Sequence, residues 1–506
     1  MPFPRTSGIL LHPTSFPSRF GIGDLGLEAY QFVDFLVDSG QQLWQILPLG
    51  PTGDHNSPYA SYSAMAGNPL LLSPEVLIEK GFLAPEDLFD LPEYSTATVD
   101  FERVIQTKMP LLQKAFKNFK AYASSIQCKE FEQFCQTRAY WLDDYALFMA
   151  LKYVHGDAKW NTWEPNLAKR QPDTIQQWQQ RLSHEISYYK YLQFEFFSQW
   201  SNLKRYANER GIQIIGDIAI YVAHDSADVW SHPQIFCLDE QTGEPALMAG
   251  TPPDYFSTTG QLWGNPVYDW VQLQKEDFHW WVQRFQTILD YVDLIRIDHF
   301  RGFQAFWAVS KGETTAVNGE WMQAPGEIFF QLLNQKLGKL PIIAEDLGEI
   351  TPDVEALRDQ FEFPGMKVLQ FAFGSGSDNP FLPFNYPRNC VVYTGTHDND
   401  TTVGWFNQLQ DQDSKAVFHY LGCTNPADIH WDLIRLAYSS VANQAIIPLQ
   451  DILGLNTSAR MNLPGQNLGN WGWRYESAAL TKQLRDRLKS MTETYGRALT
   501  HSSLQV

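Results

Sequence analysis

The chain contains Leu294-Ile-Arg-Ile-Asp298-His299, a strand-length apolar run that stops at a carboxylate. Two further runs behave in the same way, Ile342-Ile-Ala-Glu345-Asp346 and Val391-Val-Tyr-Thr-Gly-Thr-His397-Asp398-Asn-Asp400. Runs this rich in Ile, Leu and Val are typical of buried strands. In a parallel β/α enzyme the functional groups lie at the carboxyl ends of the strands. Three carboxylates delivered by three strands therefore predict one acidic site.

Similar apolar runs extend to both sides of these segments, and helical patterns separate most of them. The eight runs are 8–12, 43–47, 212–217, 294–298, 342–345, 367–371, 391–393 and 445–449. Strands that alternate with helices predict an α/β fold with a parallel sheet, and eight of them predict a (β/α)8 TIM barrel.

The uneven spacing of the runs predicts two insertions in the barrel loops. We predict one catalytic barrel over 1–506, without a separate C-terminal β-domain. Its insertions are a mainly helical subdomain at 55–210 and an active-site loop region at 221–270. The first contains amphipathic segments at 131–153 and 174–206. The second is rich in Pro, Gly and aromatic residues, which is typical of a loop that covers a site.

Composition excludes several classes of protein. With 44% hydrophobic residues the 506-residue chain can bury a large core, and a net charge of -19 argues against nucleic-acid binding. Five cysteines without a C-x-x-C pair fit free thiols in a reducing cytosol. Neither a signal peptide nor an apolar run of the ~18 residues that a membrane span needs is present. We predict a cytoplasmic protein without a membrane partner and leave its oligomeric state open.

One glycine motif matches the sequence pattern of a dinucleotide-binding site but lacks the context that such a site needs. Gly21-Ile-Gly23-Asp-Leu-Gly26 matches G-x-G-x-x-G. That site needs its glycines directly after a strand and an acidic residue about 20 positions later. Here 13–20 intervenes, and the next run ends in Leu47-Pro-Leu-Gly-Pro51 without an acid. A tight turn is the better interpretation.

The first two carboxylates differ in their expected surroundings. Side chains alternate along a strand, so Arg296 and Asp298 share a face, and a neighbouring cation favours the ionised carboxylate that a nucleophile requires. Glu345 ends an apolar run, and desolvation would raise its pKa toward that of a proton donor. Such a pair suits cleavage of a glycosidic bond. The alternative for each residue is a solvated strand end or a structural ion pair.

The third carboxylate, Asp398, lies in a polar segment that follows a strand. A turn built from Asn and Asp residues is one alternative to a functional role. A divalent metal held by His397, Asp398, Asp400 and His299 is another, although no ligand spacing such as H-x-x-x-H is present.

Taken together, these segments resemble the amylomaltases, the 4-α-glucanotransferases of glycoside hydrolase family 77. The resemblance includes Arg296-Ile-Asp-His-Phe-Arg-Gly302, Ala344-Glu-Asp-Leu-Gly348 and Gly395-Thr-His-Asp-Asn-Asp400. It continues through 57–69, 216–230, 250–256, 260–268, 364–373 and 460–465, and so covers nearly the whole chain.

The resemblance implies a role for each candidate residue. Asp298 resembles the nucleophile, Glu345 the general acid/base, and Asp398 the third carboxylate, which holds and distorts the sugar in the -1 subsite. Arg296, His299, His397 and Asp217 resemble supporting contacts to that sugar, and Asn462 a further one. Tyr59 resembles an aromatic that lines the site. Phe256 and Trp263 resemble the loop that covers bound glucan, although packing within that loop is their alternative.

The implied reaction transfers α-1,4-glucan segments between maltooligosaccharides, or between starch or glycogen chains, with retention and without a cofactor. It predicts that the carboxyls of Asp298 and Glu345 lie about 5–5.5 Å apart. A hydrolase of α-1,4-glucans and a glycan-binding barrel without activity remain alternatives.

Overall fold

The computed structural model describes residues 3–253, 257–423 and 425–498. Its strands are β1 (Thr6–Leu10), β2 (Leu43–Gln45), β3 (Gln213–Ala219), β4 (Leu247–Thr251), β5 (Gln261–Pro266), β6 (Leu294–Asp298), β7 (Ala305–Ser310), β8 (Gly319–Gln323), β9 (Ile342–Ala344), β10 (Gly365–Val368), β11 (Cys390–Tyr393) and β12 (Gln444–Pro448). Eight of them form one parallel sheet in the order β10-β11-β12-β1-β2-β3-β6-β9. The amide of Ala344 donates to the carbonyl of Pro364 at 2.9 Å, next to the start of β10. The two outer strands therefore meet, and the sheet is a nearly closed barrel.

Each of the eight predicted runs overlaps one barrel strand, which confirms the predicted fold class. All residues of β1, β9, β11 and β12 are buried, as expected of strands packed on both faces. The predicted run 367–371 began two residues late. β10 spans Gly365–Val368, and Leu369–Phe371 is a 3-10 helix whose apolar residues imitate a strand in the sequence.

Helices surround the barrel and fill its long connections. The α-helices of the described residues are Leu27–Asp38, Pro74–Glu79, Phe101–Tyr122, Ser125–Thr137, Ala139–Val154, Pro165–Ala168, Pro172–Arg181, Ser183–Glu209, Ala227–Ser231, Trp270–Lys275, His279–Tyr291, Gly326–Leu337, Pro352–Gln360, Thr402–Gln408, Asp411–Leu421, Ile429–Ser439, Leu449–Ile452 and Lys482–Thr494. Seven of them lie between β2 and β3. None of the helices in the described ranges is long and apolar enough to cross a membrane.

A second sheet stands at the carboxyl end of the barrel. It is antiparallel in the order β5-β4-β7-β8. β7 follows β6 after the 3-10 helix Phe300–Phe303, which fixes the sheet beside the end of β6. Both β4 and β5 lie within 221–270, where the sequence indicated only a loop region. The boundaries of the two insertions, 55–210 and 221–270, stay a prediction.

The glycine motif forms part of the connection between β1 and the helix Leu27–Asp38. Gly21 adopts φ 77°, and the ring of Tyr94 lies where a Cβ atom at this position would be. Both constraints are those of a turn that needs glycine. Beyond β12, the described residues up to 498 contain helices and no strand.

Candidate active site

Two neighbouring strands place a buried arginine between two carboxylates. Asp217 of β3 is the cross-strand partner of Arg296 of β6, and Asp298 lies two positions further along β6. Arg296 Nη1 lies 2.8 and 2.7 Å from the two Asp217 oxygens, and Nη2 lies 2.9 Å from Asp298 Oδ1. Burial opposes the charge of Arg296, which is 3% exposed, but Asp217 and Asp298 overcome it and hold the pKa of Arg296 well above its usual value.

Tyr59 connects this group to the loop that follows β11. Its hydroxyl donates to Asp217 Oδ2 at 2.7 Å, and its ring stacks on His397 with centroids 5.2 Å apart and planes at 15°. Burial, and then the charge of Asp217, raises the pKa of Tyr59 well above its usual value. Tyr59 therefore remains a hydrogen-bond donor at neutral pH.

Glu345 follows β9 directly and points its carboxyl group at the end of β6. The backbone N–H of His299 donates to Glu345 Oε2 at 2.6 Å, and the N–H of Leu347 donates to Oε1 at 2.8 Å. Burial, and then the charge of Asp298, raises the pKa of Glu345 to about 8, against the opposing effects of Arg296 and of the two N–H groups. Most of the Glu345 population is thus protonated at pH 7.

Asp398 is held from one side and open on the other. Asn462 Nδ2 donates to Asp398 Oδ1 at 2.6 Å, and His397 Nε2 lies 3.4 Å from the same oxygen. Arg460 Nη2 donates to the backbone carbonyl of Asp398. Because 44% of the Asp398 side chain stays exposed, a substrate can reach this carboxylate.

His299 and Trp263 form the wall beside β6. His299 adopts φ 53°, a left-handed conformation that is uncommon for residues other than glycine. Trp263 of β5 packs edge-on against the His299 ring at 4.9 Å and 88°, and it is 37% exposed. Burial lowers the pKa of His299 to about 4, so its ring is neutral.

These contacts join the predicted site residues into a continuous group at the carboxyl ends of β3, β6, β9 and β11. Phe256 lies outside the described residues, so its predicted place in the covering loop is untested. Within the described ranges there is no group of three or more His, Cys, Asp or Glu side chains that could hold a metal ion.

Two residues of the site were not among the predicted ones. The ring of Trp471 lies 5.9 Å from both Tyr59 and His397, and Arg460 supports Asp398 as described above. In the sequence, only the composition around these two residues could have indicated a role in the site. Trp471 lies in Gly469-Asn-Trp-Gly-Trp473, an aromatic group in a glycine-rich segment, and Arg460 opens the segment that contains Asn462.

The fold and the site together define a class of enzyme. A barrel that holds one carboxylate against an arginine and a second carboxyl group in its protonated form has the groups needed to cleave a glycosidic bond.

Comparison with known proteins gives the family. A family model described as glycoside hydrolase family 77, 4-alpha-glucanotransferase, matches residues 11–481. The chain is 58% identical over 500 residues to the 4-alpha-glucanotransferase of Synechocystis sp., covering 98% of this chain and 99% of the relative. Identity to the Thermus thermophilus 4-alpha-glucanotransferase is 48% over 500 residues, covering 97% and 99%. The solved structure of an amylomaltase from Streptococcus agalactiae in complex with acarbose superposes with a TM-score of 0.94 at 39% identity, covering 98% of this chain and all of that one.

The chain belongs to glycoside hydrolase family 77, the 4-α-glucanotransferases. It is a glycosyl-transferring enzyme that moves segments of α-1,4-glucan from one chain to another. The predicted family and activity are confirmed.

Proposed function

We propose that Asp298 is the nucleophile and Glu345 the general acid/base of the transfer reaction. One observation supports this proposal above the others. Two carboxyl groups at the ends of adjacent strands have opposite surroundings, since Asp298 is paired with Arg296 at 2.9 Å whereas burial raises the pKa of Glu345 to about 8. Carboxyl groups whose environments separate their acidities fill the two roles of a retaining mechanism.

The reaction proceeds in two displacements at C1 of the donor sugar. In the first, Glu345 gives its proton to the glycosidic oxygen while an Asp298 oxygen attacks C1, so the C1–O bond breaks and a covalent glucosyl-enzyme forms. In the second, the Glu345 carboxylate takes the proton of the acceptor's 4-hydroxyl, whose oxygen attacks C1 and displaces Asp298. Two inversions retain the α configuration. The scheme requires carboxyl groups about 5–5.5 Å apart.

The remaining residues bind the sugar in the -1 subsite and cover it. Asp398, held by Asn462 and His397, acts as the third carboxylate that holds and distorts the ring. Asp217, Arg296, His299 and Tyr59 provide supporting contacts. Trp263, on β5 beside His299, covers the subsite and excludes water, which favours transfer over hydrolysis.

The substrates in this proposal are an α-1,4-glucan donor and a sugar acceptor such as glucose or a maltooligosaccharide. The S. agalactiae amylomaltase was solved with acarbose, an oligosaccharide ligand, which supports this class of substrate. We also propose that the enzyme is cytoplasmic and uses no cofactor.

Incubation of the purified protein with maltotriose tests the proposal. Glucose together with a series of longer maltooligosaccharides is the expected result, and the variant Asp298→Ala, as the matched control, should produce neither. Glucose and maltose alone would instead identify a hydrolase. An unchanged substrate would identify a glycan-binding barrel, and full turnover by Asp298→Ala would refute the nucleophile assignment.

A further inference from the structure

One buried carboxylate binds both ends of the loop that carries His397 and Asp398. The loop runs from 395 to 401, between β11 and the helix Thr402–Gln408. Asp451, which follows β12 and is 1% exposed, accepts hydrogen bonds from the hydroxyl of Thr394 at 2.5 Å and from that of Thr402 at 2.8 Å. The backbone N–H of Thr402 donates to the other Asp451 oxygen at 2.6 Å.

This arrangement closes the loop at its base. Thr394 enters the loop and Thr402 leaves it, so the Asp451 carboxylate sets the distance between its two ends. Burial raises the pKa of Asp451, and the hydrogen bonds from Thr394 and Thr402 oppose that rise. All three residues are buried.

A second carboxylate, on the loop itself, binds the segment that leads to Asn462. Asp400 accepts from the hydroxyl of Thr457 at 2.8 Å and from Gln408 Nε2 at 2.8 Å. Thr457 lies five residues before Asn462, whose amide holds Asp398. The loop and the segment that contacts Asp398 are therefore fixed to each other behind the cleft.

We propose that Asp451 is a positioning residue for the transfer reaction. By accepting hydrogen bonds from Thr394 and Thr402, it determines the position of Asp398. The inference rests on the proposed role of Asp398. Without Asp451 two hydroxyls and one N–H lose their acceptor, and the loop ends are free to separate. A displacement of about 1 Å at a group that contacts the substrate is enough to lower a rate by about 10²-fold.

The measurement is the initial rate of fluoride release from α-maltotriosyl fluoride, with kcat and KM determined separately. Asp451→Ala is expected to lower kcat by about 10²-fold. Asp451→Asn is expected to recover most of that loss, because its Oδ1 still accepts from the Thr402 N–H while its amide donates to the hydroxyl oxygens. Thr402→Val, of similar volume, should lower kcat by a smaller factor, and Thr402→Ser should restore it. These two variants also test the proposal if Asp451→Ala does not fold.

Asp24→Ala is the matched control for loss of stability. Asp24 is also 1% exposed and accepts from the Ser18 hydroxyl at 2.8 Å and the Gly26 N–H at 2.9 Å, with the Lys108 ammonium group 3.9 Å away, but it lies in the turn before the helix Leu27–Asp38. This variant should lower the melting temperature and leave kcat per folded molecule unchanged.

A double-mutant cycle separates positioning from general destabilisation. If Asp451 acts through Asp398, Asp451→Ala should change kcat by less than about threefold in an Asp398→Ala background, since residues that act as a unit are not additive. An equal loss in both backgrounds would overturn the inference, as would a folded Asp451→Ala enzyme with normal kcat. If Asp398→Ala itself had no effect, the proposed role of Asp398 would fail instead.

Discussion

The raised pKa of Glu345 makes the stability of the protein depend on pH in a way that one substitution removes. The carboxyl pKa is 4.5 when unfolded and about 8 when folded. Below pH 4.5 both states hold the proton. As the pH rises from 4.5 to 8 only the unfolded state releases it, so the stabilisation that protonated Glu345 provides is lost across this window. Glu345→Gln cannot ionise and therefore lacks this loss.

The expected magnitude follows from these two values. At about 1.36 kcal/mol for each pH unit, the full loss is up to about 5 kcal/mol. Between pH 6 and pH 9 the wild-type free energy of unfolding should fall by about 3 kcal/mol relative to that of Glu345→Gln. The glutamine amide must face the N–H of His299 or Leu347 and so loses one hydrogen bond. That penalty of roughly 1–3 kcal/mol is the same at every pH and does not affect the comparison.

Urea unfolding of both proteins at pH 6, 7, 8 and 9 measures this difference. All other titrating groups are shared by the two proteins and cancel in the subtraction. A difference that stays constant within about 0.5 kcal/mol, the usual limit of additivity, would show that Glu345 is already ionised in the folded protein near pH 6. Glu345 could then not be the proton donor.

Four further outcomes are expected. The kcat/KM for maltotriose should fall about tenfold for each pH unit above about 8, because Glu345 then lacks its proton; a flat profile to pH 10 would exclude this. Tyr59→Phe removes the donor to Asp217 and should lower kcat/KM by roughly 5- to 30-fold, whereas an unchanged value would mean that this hydrogen bond has no role in binding. Trp263→Ala should increase the share of glucose and maltose among the products, as water enters beside His299; a product pattern like that of the wild type would contradict its covering role. Dialysis against EDTA should leave transfer unchanged, and lost activity that returns with a divalent ion would contradict the metal-free scheme.

The barrel was predictable because its strands are short, buried and apolar. Parallel strands packed on both faces leave continuous Ile, Leu and Val runs in the sequence. The error at 367–371 came from apolar residues that pack in a 3-10 helix after Val368. The sheet β5-β4-β7-β8 was not predicted, since its strands are only partly buried and β5 contains Gly264, Asn265 and Pro266. The composition of β5 is typical of a loop, but its pairing with β4 makes it a strand.

The site was predictable to the extent that its groups follow strands. Asp298 and Glu345 stand at the ends of apolar runs, and Asp398 lies in the polar segment that follows one. The alternation of side chains placed Arg296 beside Asp298. Asp451 gave no such signal. It lies in the short helix Leu449–Ile452, beside an apolar run. Its partners Thr394 and Thr402 become neighbours only through the folding of the loop between them.

The position of Arg296 between two anions has a consequence for the course of the reaction. In the free enzyme one guanidinium faces both Asp217 and Asp298, and in the proposed mechanism it holds the Asp298 oxygen beside C1, where the oxocarbenium-like transition state develops positive charge. In the proposed mechanism Asp298 becomes a neutral ester, and the Arg296 guanidinium then keeps its contacts with Asp217. A buried cation without a partner would be strongly unfavourable. We therefore expect Asp217 to keep the guanidinium paired during the lifetime of the covalent intermediate.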